Sequence, residues 1–276
     1  MRRPFAEVDV FAGPAYSGNP VAVVLDATGL ETARMQQFAR WTNLSETTFL
    51  LPPADPGAVY RVRIFTPARE LPFAGHPTLG TCHAWLSTAE GAMSKETVVQ
   101  ECPAGIVRLR QSEGRLAFAA PPLVRYGPVD DAVLGQVAEV LRIDRAEIVD
   151  AHWVDNGPGW VGIVLRDAEA VLRLKPGPVD FETGVAGPYP EGSEAAFEVR
   201  AFFPQDGATV EDPVTGSLNA SLAQWFFDSG LAKGPYVVSQ GSALGRQGRV
   251  HIGREEDGTI WVGGHTITRI EGTVEL

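Results

Sequence analysis

The stretch from Val62 to Leu86, V-R-I-F-T-P-A-R-E-L-P-F-A-G-H-P-T-L-G-T-C-H-A-W-L, decides the fold. It opens as a strand, with Val62, Ile64 and Phe65 supplying alternation and β-propensity. A turn punctuated by Pro67 and Pro72 follows. Gly75-His76-Pro77-Thr78 predicts a helix start, with Pro77 at the first helical position, where its missing N–H costs nothing. Leu79, Cys82, Ala84, Trp85 and Leu86 set apolar side chains nearly all round that helix, the pattern of a helix buried on most sides. Such a start offers unpaired backbone N–H groups and a partial positive charge, a seat for an anion.

The pattern recurs in the second half. Val199 to Phe226 reads V-R-A-F-F-P-Q-D-G-A-T-V-E-D-P-V-T-G-S-L-N-A-S-L-A-Q-W-F. Val62-Arg63-x-Phe65-x-Pro67 matches Val199-Arg200-x-Phe202-x-Pro204 at an offset of 199 − 62 = 137. His76-Pro77-x-x-Gly80-Thr81 matches Asp212-Pro213-x-x-Gly216-Ser217 at 212 − 76 = 136. A strand, a turn and a Pro-initiated buried helix thus occur twice, which makes the chain a tandem duplication. A fainter echo sets Val21, Val23, Val24 and Leu25 on Val161, Ile163, Val164 and Leu165 at an offset of 140.

A length of 276 residues agrees with two domains. A net charge of −11, with no cluster of Lys and Arg, disfavours nucleic-acid binding. An acidic protein that binds an anion must do so with local dipoles, not with its overall field. Met1-Arg2-Arg3 resembles the start of a signal peptide, but Pro4, Glu7 and Asp9 interrupt any apolar run behind it. No stretch is long and apolar enough to span a bilayer. Cys82 and Cys102 are too few for a disulfide framework and lack metal-ligand spacing. They read as reduced packing residues of a cytoplasmic protein.

Outside the repeated stretch the chain reads as many short strands. Phe5 to Phe11 alternates apolar and polar residues. Gly13 to Pro20 is a turn-rich loop, and Val21 to Leu25 is an apolar strand. Thr28-x-x-Glu31 has the form of a capping box ahead of a helical stripe of Leu30, Met35, Phe38 and Ala39. Leu44 to Leu51 is β-rich. Strands at Glu96 to Glu101, Gly105 to Leu109 and Arg115 to Ala119 end the first half. Pro121-Pro122 marks the boundary, giving domains of residues 1–121 and 122–276, with the last strand free to cross back to the first. An amphipathic helix from Asp130 carries Val133, Leu134, Val137, Val140 and Leu141 on one face. Asp257-Gly258 is a hairpin signal in a β-rich tail. Each half then pairs many strands with one apolar helix, which a strongly curved sheet would bury without a second helical layer.

Four side chains fit chemistry, and each also fits a plain structural role. His76 flanks a buried helix start and also suits a cap. Asp212 holds the matching place, and Asp is a favoured N-cap. Glu46 lies in an uncharged β-rich run, where burial would raise a carboxyl toward neutrality and let it take and return a proton; it also fits a solvent-facing strand position. Ser217, beside Gly216, could donate to a ligand carboxylate or simply be small in a first helical turn. Packing of the halves about a pseudo-two-fold would set His76 and Asp212 face to face in one cleft, suited to a small anionic metabolite. Nucleotide-binding glycine motifs, a metal-ligand cluster and a Gly-x-Ser-x-Gly elbow do not occur. The chemistry expected is proton transfer without cofactor or metal.

Several ordered blocks together resemble the PhzF family, the phenazine-biosynthesis-like isomerases. They are Val8-Asp9-Val10-Phe11 with Gly18-Asn19-Pro20-Val21-Ala22-Val23, Leu44-Ser45-Glu46-Thr47-Thr48-Phe49, and Arg63-Ile64-Phe65-Thr66-Pro67. Phe73-Ala74-Gly75-His76-Pro77-Thr78, Glu211-Asp212-Pro213-Val214-Thr215-Gly216-Ser217 and Gln240-Gly241 with Gly245-Arg246 complete them. The resemblance implies an α+β fold of diaminopimelate-epimerase type: two pseudo-symmetric domains, each a β-barrel wrapped around a central helix, with the site between them. It implies a homodimer without cofactor and an isomerisation like that of trans-2,3-dihydro-3-hydroxyanthranilate. The family's catalytic Glu falls on Glu46, its His on His76, its Asp on Asp212 and its Ser on Ser217, with Gly75 and Gly216 beside the substrate. The superfamily's epimerases use two thiols at the helix starts, which here carry His76-Pro77 and Asp212-Pro213. A non-catalytic binding module for small anions is the competing class, and an amino-acid or hydroxyproline epimerase ranks after it.

Overall fold

The computed structural model describes residues 1–91, 97–205 and 207–276. Glu96, expected to open a strand, and Asp206, within the second strand–turn–helix stretch, lie outside the described residues. The chain forms two compact units, Met1–Ala119 with Gly263–Leu276, and Ala120–Val262. The first begins with β1 (Arg2–Val10), β2 (Asn19–Val24), α1 (Thr32–Thr42), β3 (Glu46–Leu51), β4 (Tyr60–Phe65) and β5 (Glu70–Leu71). It continues with α2 (Gly75–Leu86), β6 (Thr97–Cys102), β7 (Gly105–Ser112) and β8 (Arg115–Ala119). The second runs through β9 (Arg125–Pro128), α3 (Asp131–Leu141), β10 (Ile148–Asp155), β11 (Val161–Leu165), α4 (Ala168–Leu172) and β12 (Thr183–Pro188). Then come β13 (Phe197–Gln205), β14 (Ala208–Asp212), α5 (Gly216–Ser229), β15 (Tyr236–Gln240), β16 (Gly248–Arg254) and β17 (Ile260–Gly264), whose last two residues fall in the first unit. The closing strand, β18 (Thr266–Glu275), belongs to the first unit.

Strand pairing repeats the duplication seen in the sequence. In the first unit β18 and β1 are antiparallel, as are β1 and β2; β2 and β3 are parallel; β3, β4 and β5 are antiparallel in turn; and β4 and β6 are parallel. In the second, β9 and β10 and then β10 and β11 are antiparallel, β11 and β12 parallel, β12, β13 and β14 antiparallel in turn, and β13 and β15 parallel. Each unit wraps its strands on the long helix that precedes β6 or β15. In α2 only His83 and Leu86 escape full burial, and the helix touches β1, β2, β3, β4, β8 and β18.

A second helical layer is nevertheless present, against the sequence expectation. Met35, Phe38 and Ala39 of α1 pack on Val24, Phe49 and Phe65. Val137 and Leu141 of α3 and Ala170 and Val171 of α4 pack on Val161, Ile163, Leu165 and Phe202. The cause is in the strands: β2 and β11 are apolar on both faces, and both must be covered. The capping box at Thr28 does not form. Asp26 takes the Thr28 N–H at 2.9 Å in a turn completed by Gly29 at φ 77°, and α1 starts only after Glu31. The fainter echo is out of phase. Val21 faces inward, toward Gly80 of α2, whereas Val161 faces outward toward α3 and α4. The inward neighbour of α5 on β11 is Gly162, against Leu222 and Trp225. A slip of one residue exchanges the two faces of a strand.

The echoed Val-Arg-x-Phe has a physical basis. Arg63 stacks over Phe65 at 5.1 Å and binds Glu70 through two hydrogen bonds of 2.7 and 2.6 Å. Arg200 stacks over Phe202 at 4.9 Å and binds Glu211 in the same way at 2.9 and 2.7 Å. Arg63 also reaches Thr32 at the start of α1, and Arg200 reaches the Val171 and Leu174 carbonyls at the end of α4. Each clamp therefore ties an outer helix to the sheet. Glu70 sits opposite Phe65 and Glu211 opposite Phe202, and each buried helix begins five residues after that Glu. Gly75-His76 is consequently the structural counterpart of Gly216-Ser217, not of Glu211-Asp212. The sequence alignment missed this because the β13–β14 hairpin is the longer of the two.

Gly80 permits a close approach of α2 to β1 and β2. A Cβ there would stand 2.2 Å from Val21 Cγ1 and 3.0 Å from Val10 Cγ2. Gly80→Ala gains up to about 1 kcal/mol in helix propensity but overpacks the site by roughly 1–3 kcal/mol. The expected result is a lower urea midpoint; an unchanged or higher one would show that the strands yield. No helix among the described residues is long and apolar enough to cross a membrane.

Candidate active site

In the first unit the start of β3 meets the start of α2. Val21 of β2 lies in parallel register with Glu46, so Glu46 faces inward with Thr48, whose hydroxyl accepts from Thr81 of α2 at 2.8 Å. Glu46 Oε2 lies 3.3 Å from His76 Nε2, and their side chains are 14% and 3% exposed. His76 and Pro77 are the second and third residues of α2, behind Ala74 as N-cap, so Pro77 is not first. It is tolerated because the first turn's N–H groups have no helical partner. On its other side His76 Nδ1 lies 3.3 Å from Asn19 Nδ2. Asn19 is placed by Gly18, whose N–H donates to Asp9 Oδ1 at 2.9 Å and whose missing Cβ would fall 2.1 Å from the Val10 carbonyl oxygen.

Burial pushes His76 down to about 3, with a smaller opposing effect from a hydrogen bond to the Pro20 backbone. The ring is neutral near pH 7, so its contact with Glu46 is not an ion pair. The unfolded chain takes up a proton near pH 6.5 that the folded chain refuses. This contribution leaves stability untouched above that pH and erodes it as pH falls from there toward 3, by up to about 1.4 kcal/mol per unit. His76→Asn, which has no such proton to refuse, is expected to lose about 2 kcal/mol less than wild type between pH 7 and pH 5 in urea unfolding. Parallel pH dependence in the two proteins would contradict a neutral buried ring.

In the second unit the start of α5 is built differently. Thr215 is the N-cap, and Asp212 ends β14 three residues earlier, so Asp212 does not cap the helix. Thr215 Oγ1 instead donates to Asp212 Oδ2 at 2.6 Å. The buried amide of Gln240 binds Thr215, Asn219 and the Asp212 carbonyl. Ser217 is 8% exposed and accepts from Trp160 Nε1 at 3.2 Å. An indole N–H can only donate, so the Ser217 hydrogen remains for another acceptor. Asn156 Nδ2 donates to the Ser217 carbonyl at 3.0 Å. No side chain caps α2 or α5, and Gly75 and Gly216 are their first residues.

The structure thus joins Glu46 to His76 within one unit, and Asp212 to Thr215 and Gln240 within the other. Sequence reasoning named Glu46, His76, Asp212 and Ser217 but missed Asn19, Trp160, Thr215 and Gln240. Asn19 and Gln240 did carry a signal, since both stand in blocks next to a turn glycine. Cys82 and Cys102 are free and buried. Burial pushes the Cys82 thiol up to about 12 and also raises Cys102.

The profile of the PhzC-PhzF family, described as phenazine biosynthesis-like protein, matches residues 8–272. The chain is 34% identical to antisense-enhancing sequence 1 of Schizosaccharomyces pombe over 97% of each chain. It is 33% identical to the trans-2,3-dihydro-3-hydroxyanthranilate isomerase of Pseudomonas fluorescens over 98% of each. A solved PhzF-family structure from Enterococcus faecalis covers 100% of both chains at 27% identity, with a TM-score of 0.79. The fold is of the diaminopimelate-epimerase type, shared with proline-racemase-like proteins. A repeated barrel on a buried helix and a sequence match along nearly the whole chain lead to one conclusion: the protein belongs to the PhzF family of phenazine biosynthesis-like proteins.

Proposed function

We propose that this isomerase moves a proton on a small carboxylate-bearing metabolite, similar to trans-2,3-dihydro-3-hydroxyanthranilate, without a cofactor and with Glu46 as the base. The observation that carries the reading is the Glu46 carboxylate held 3.3 Å from a buried, neutral His76. A cationic neighbour would weaken a carboxylate as a base, whereas a neutral one orients it without that cost. In the proposed step Glu46 takes a proton from an activated carbon and the electron pair moves into the conjugated system. The resulting carboxylic acid, whose O–H exchanges with water, then gives a proton to another carbon, with no net oxidation. Asp212 orients substrate polar groups, while Ser217, Gly216 and Gly75 serve the substrate carboxylate through a hydroxyl and helix-start N–H groups. A two-thiol epimerase is disfavoured because a buried thiol pushed up to about 12 is a poor source of thiolate.

The test is incubation with trans-2,3-dihydro-3-hydroxyanthranilate in D₂O. Isomerised product carrying carbon-bound deuterium is expected. Tight binding without exchange would mean a binding module, and Cα inversion of an amino acid abolished by iodoacetamide would mean an epimerase. The same reading carries a cytoplasmic homodimer, so sedimentation at twice the 29.6 kDa chain mass is expected.

A further inference from the structure

We propose that Gln240 is a positioning residue that directs the Thr215 hydroxyl onto Asp212, and so sets the carboxylate that the reaction uses. The inference rests on the reading that Asp212 acts on the substrate.

The polarity of the cluster follows from groups with a single possible role. The Thr215 backbone N–H can only donate, and it lies 3.0 Å from one end of the Gln240 amide, which must be Oε1. The Asp212 carbonyl can only accept, and it lies 3.2 Å from the other end, which must be Nε2. The amide orientation is therefore determined twice. Asn219 Nδ2 adds a second donor to Oε1 at 2.8 Å, itself steadied by the Thr215 carbonyl at 2.9 Å. Nε2 lies 2.8 Å from Thr215 Oγ1. Because an amide NH₂ only donates, Thr215 Oγ1 must accept there. Its own hydrogen is left for Asp212 Oδ2, at 2.6 Å.

Gln240 is fully buried, and its segment is pressed onto the start of α5. Gly241, at φ +92°, has no room for a side chain, since a Cβ would lie 2.6 Å from the Pro213 carbonyl. A Cβ on Gly248 would lie 2.4 Å from Val214 Cγ2. The Gln-Gly loop thus acts as a brace for α5, with the amide at its contact point.

Gln240→Glu keeps the size and both acceptor contacts and, once ionised at alkaline pH, cannot donate. Thr215 is then free to turn its hydroxyl toward the new carboxylate and abandon Asp212. A crystal structure of Q240E at alkaline pH decides the geometry without any substrate: the Thr215–Asp212 contact is expected to open beyond hydrogen-bond distance, and its persistence at 2.6 Å would overturn the proposal. Kinetics with trans-2,3-dihydro-3-hydroxyanthranilate at the same pH supply the functional arm. Q240E and T215V are expected to lose about 10- to 100-fold in kcat with little change in KM, the scale of a misplaced reacting group. T215S, which keeps the hydroxyl, should retain turnover. The double variant Q240E/T215V should be no slower than T215V alone, because both changes remove one hydrogen bond. Multiplying losses, or a T215S as slow as T215V, would mark Gln240 as only a structural brace. D212N separates the two ideas: full turnover in D212N removes Asp212 from the reaction, whereas a slow D212N beside fast Q240E and T215V removes only the positioning role.

Discussion

Glu46→Gln is expected to lower kcat by about 10²–10⁴-fold, the usual worth of a positioned general base, or roughly 3–5 kcal/mol of transition-state stabilisation. Gln has the same length and can keep a polar contact with His76 Nε2, so the start of β3 has no reason to rearrange. What it lacks is a site that can hold a proton taken from carbon. Substrate binding should change little, because the roles proposed for Ser217 and the two helix starts are untouched, and the loss should fall on kcat rather than KM. His76→Asn should cost less, since it removes an orienting neighbour and leaves the base. An E46Q protein with wild-type kcat would move the chemistry away from the β3–α2 junction altogether.

Glu211→Ala is expected to destabilise the protein by about 3–5 kcal/mol. The Arg200 and Glu211 side chains are 6% and 12% exposed. Removing the carboxylate leaves the guanidinium with the Val171 and Leu174 carbonyls, which accept its hydrogen bonds without neutralising its charge. The duplication supplies an internal control. Arg63 and Glu70 form the same two-bond clamp at 22% and 30% exposure, where water screens the stranded charge, so Glu70→Ala should cost clearly less. Replacing both partners at the buried site, Arg200→Met with Glu211→Leu, should recover most of the loss, because no charge then remains to be desolvated. Shifts in urea midpoint test the series, and equal losses at the two clamps would show that burial does not set their energies.

These two sites also mark how far the fold was legible in the sequence. The repeat was legible because Arg and Phe do the same physical work in both units, stacking on each other and clamping a Glu across the sheet. The register beyond that point was not legible. Aligning Pro-x-x-Gly paired His76 with Asp212, but cross-strand pairing sets Gly75-His76 against Gly216-Ser217, and hairpin length is free to vary without disturbing a core. The strand echo at Val21 failed for a related reason: an apolar run buried on both faces does not reveal which residue points inward.

Glu46 and His76 could be named from short blocks, yet their contact could not. It depends on the parallel register of β2 with β3, which is a tertiary fact. Gln240 was visible only as part of a Gln-Gly block. Its role appears once Thr215 and Asp212 are in place, because a hydrogen-bond network is defined by its partners and not by spacing along the chain.

The central claim is that Glu46 carries the proton between carbons. The most direct measurement is the rate of deuterium entry at carbon, followed by NMR in D₂O with trans-2,3-dihydro-3-hydroxyanthranilate, for wild type and E46Q side by side. The account predicts that exchange and turnover fall together in E46Q, by the same factor. Exchange at carbon continuing at the wild-type rate in E46Q would contradict it.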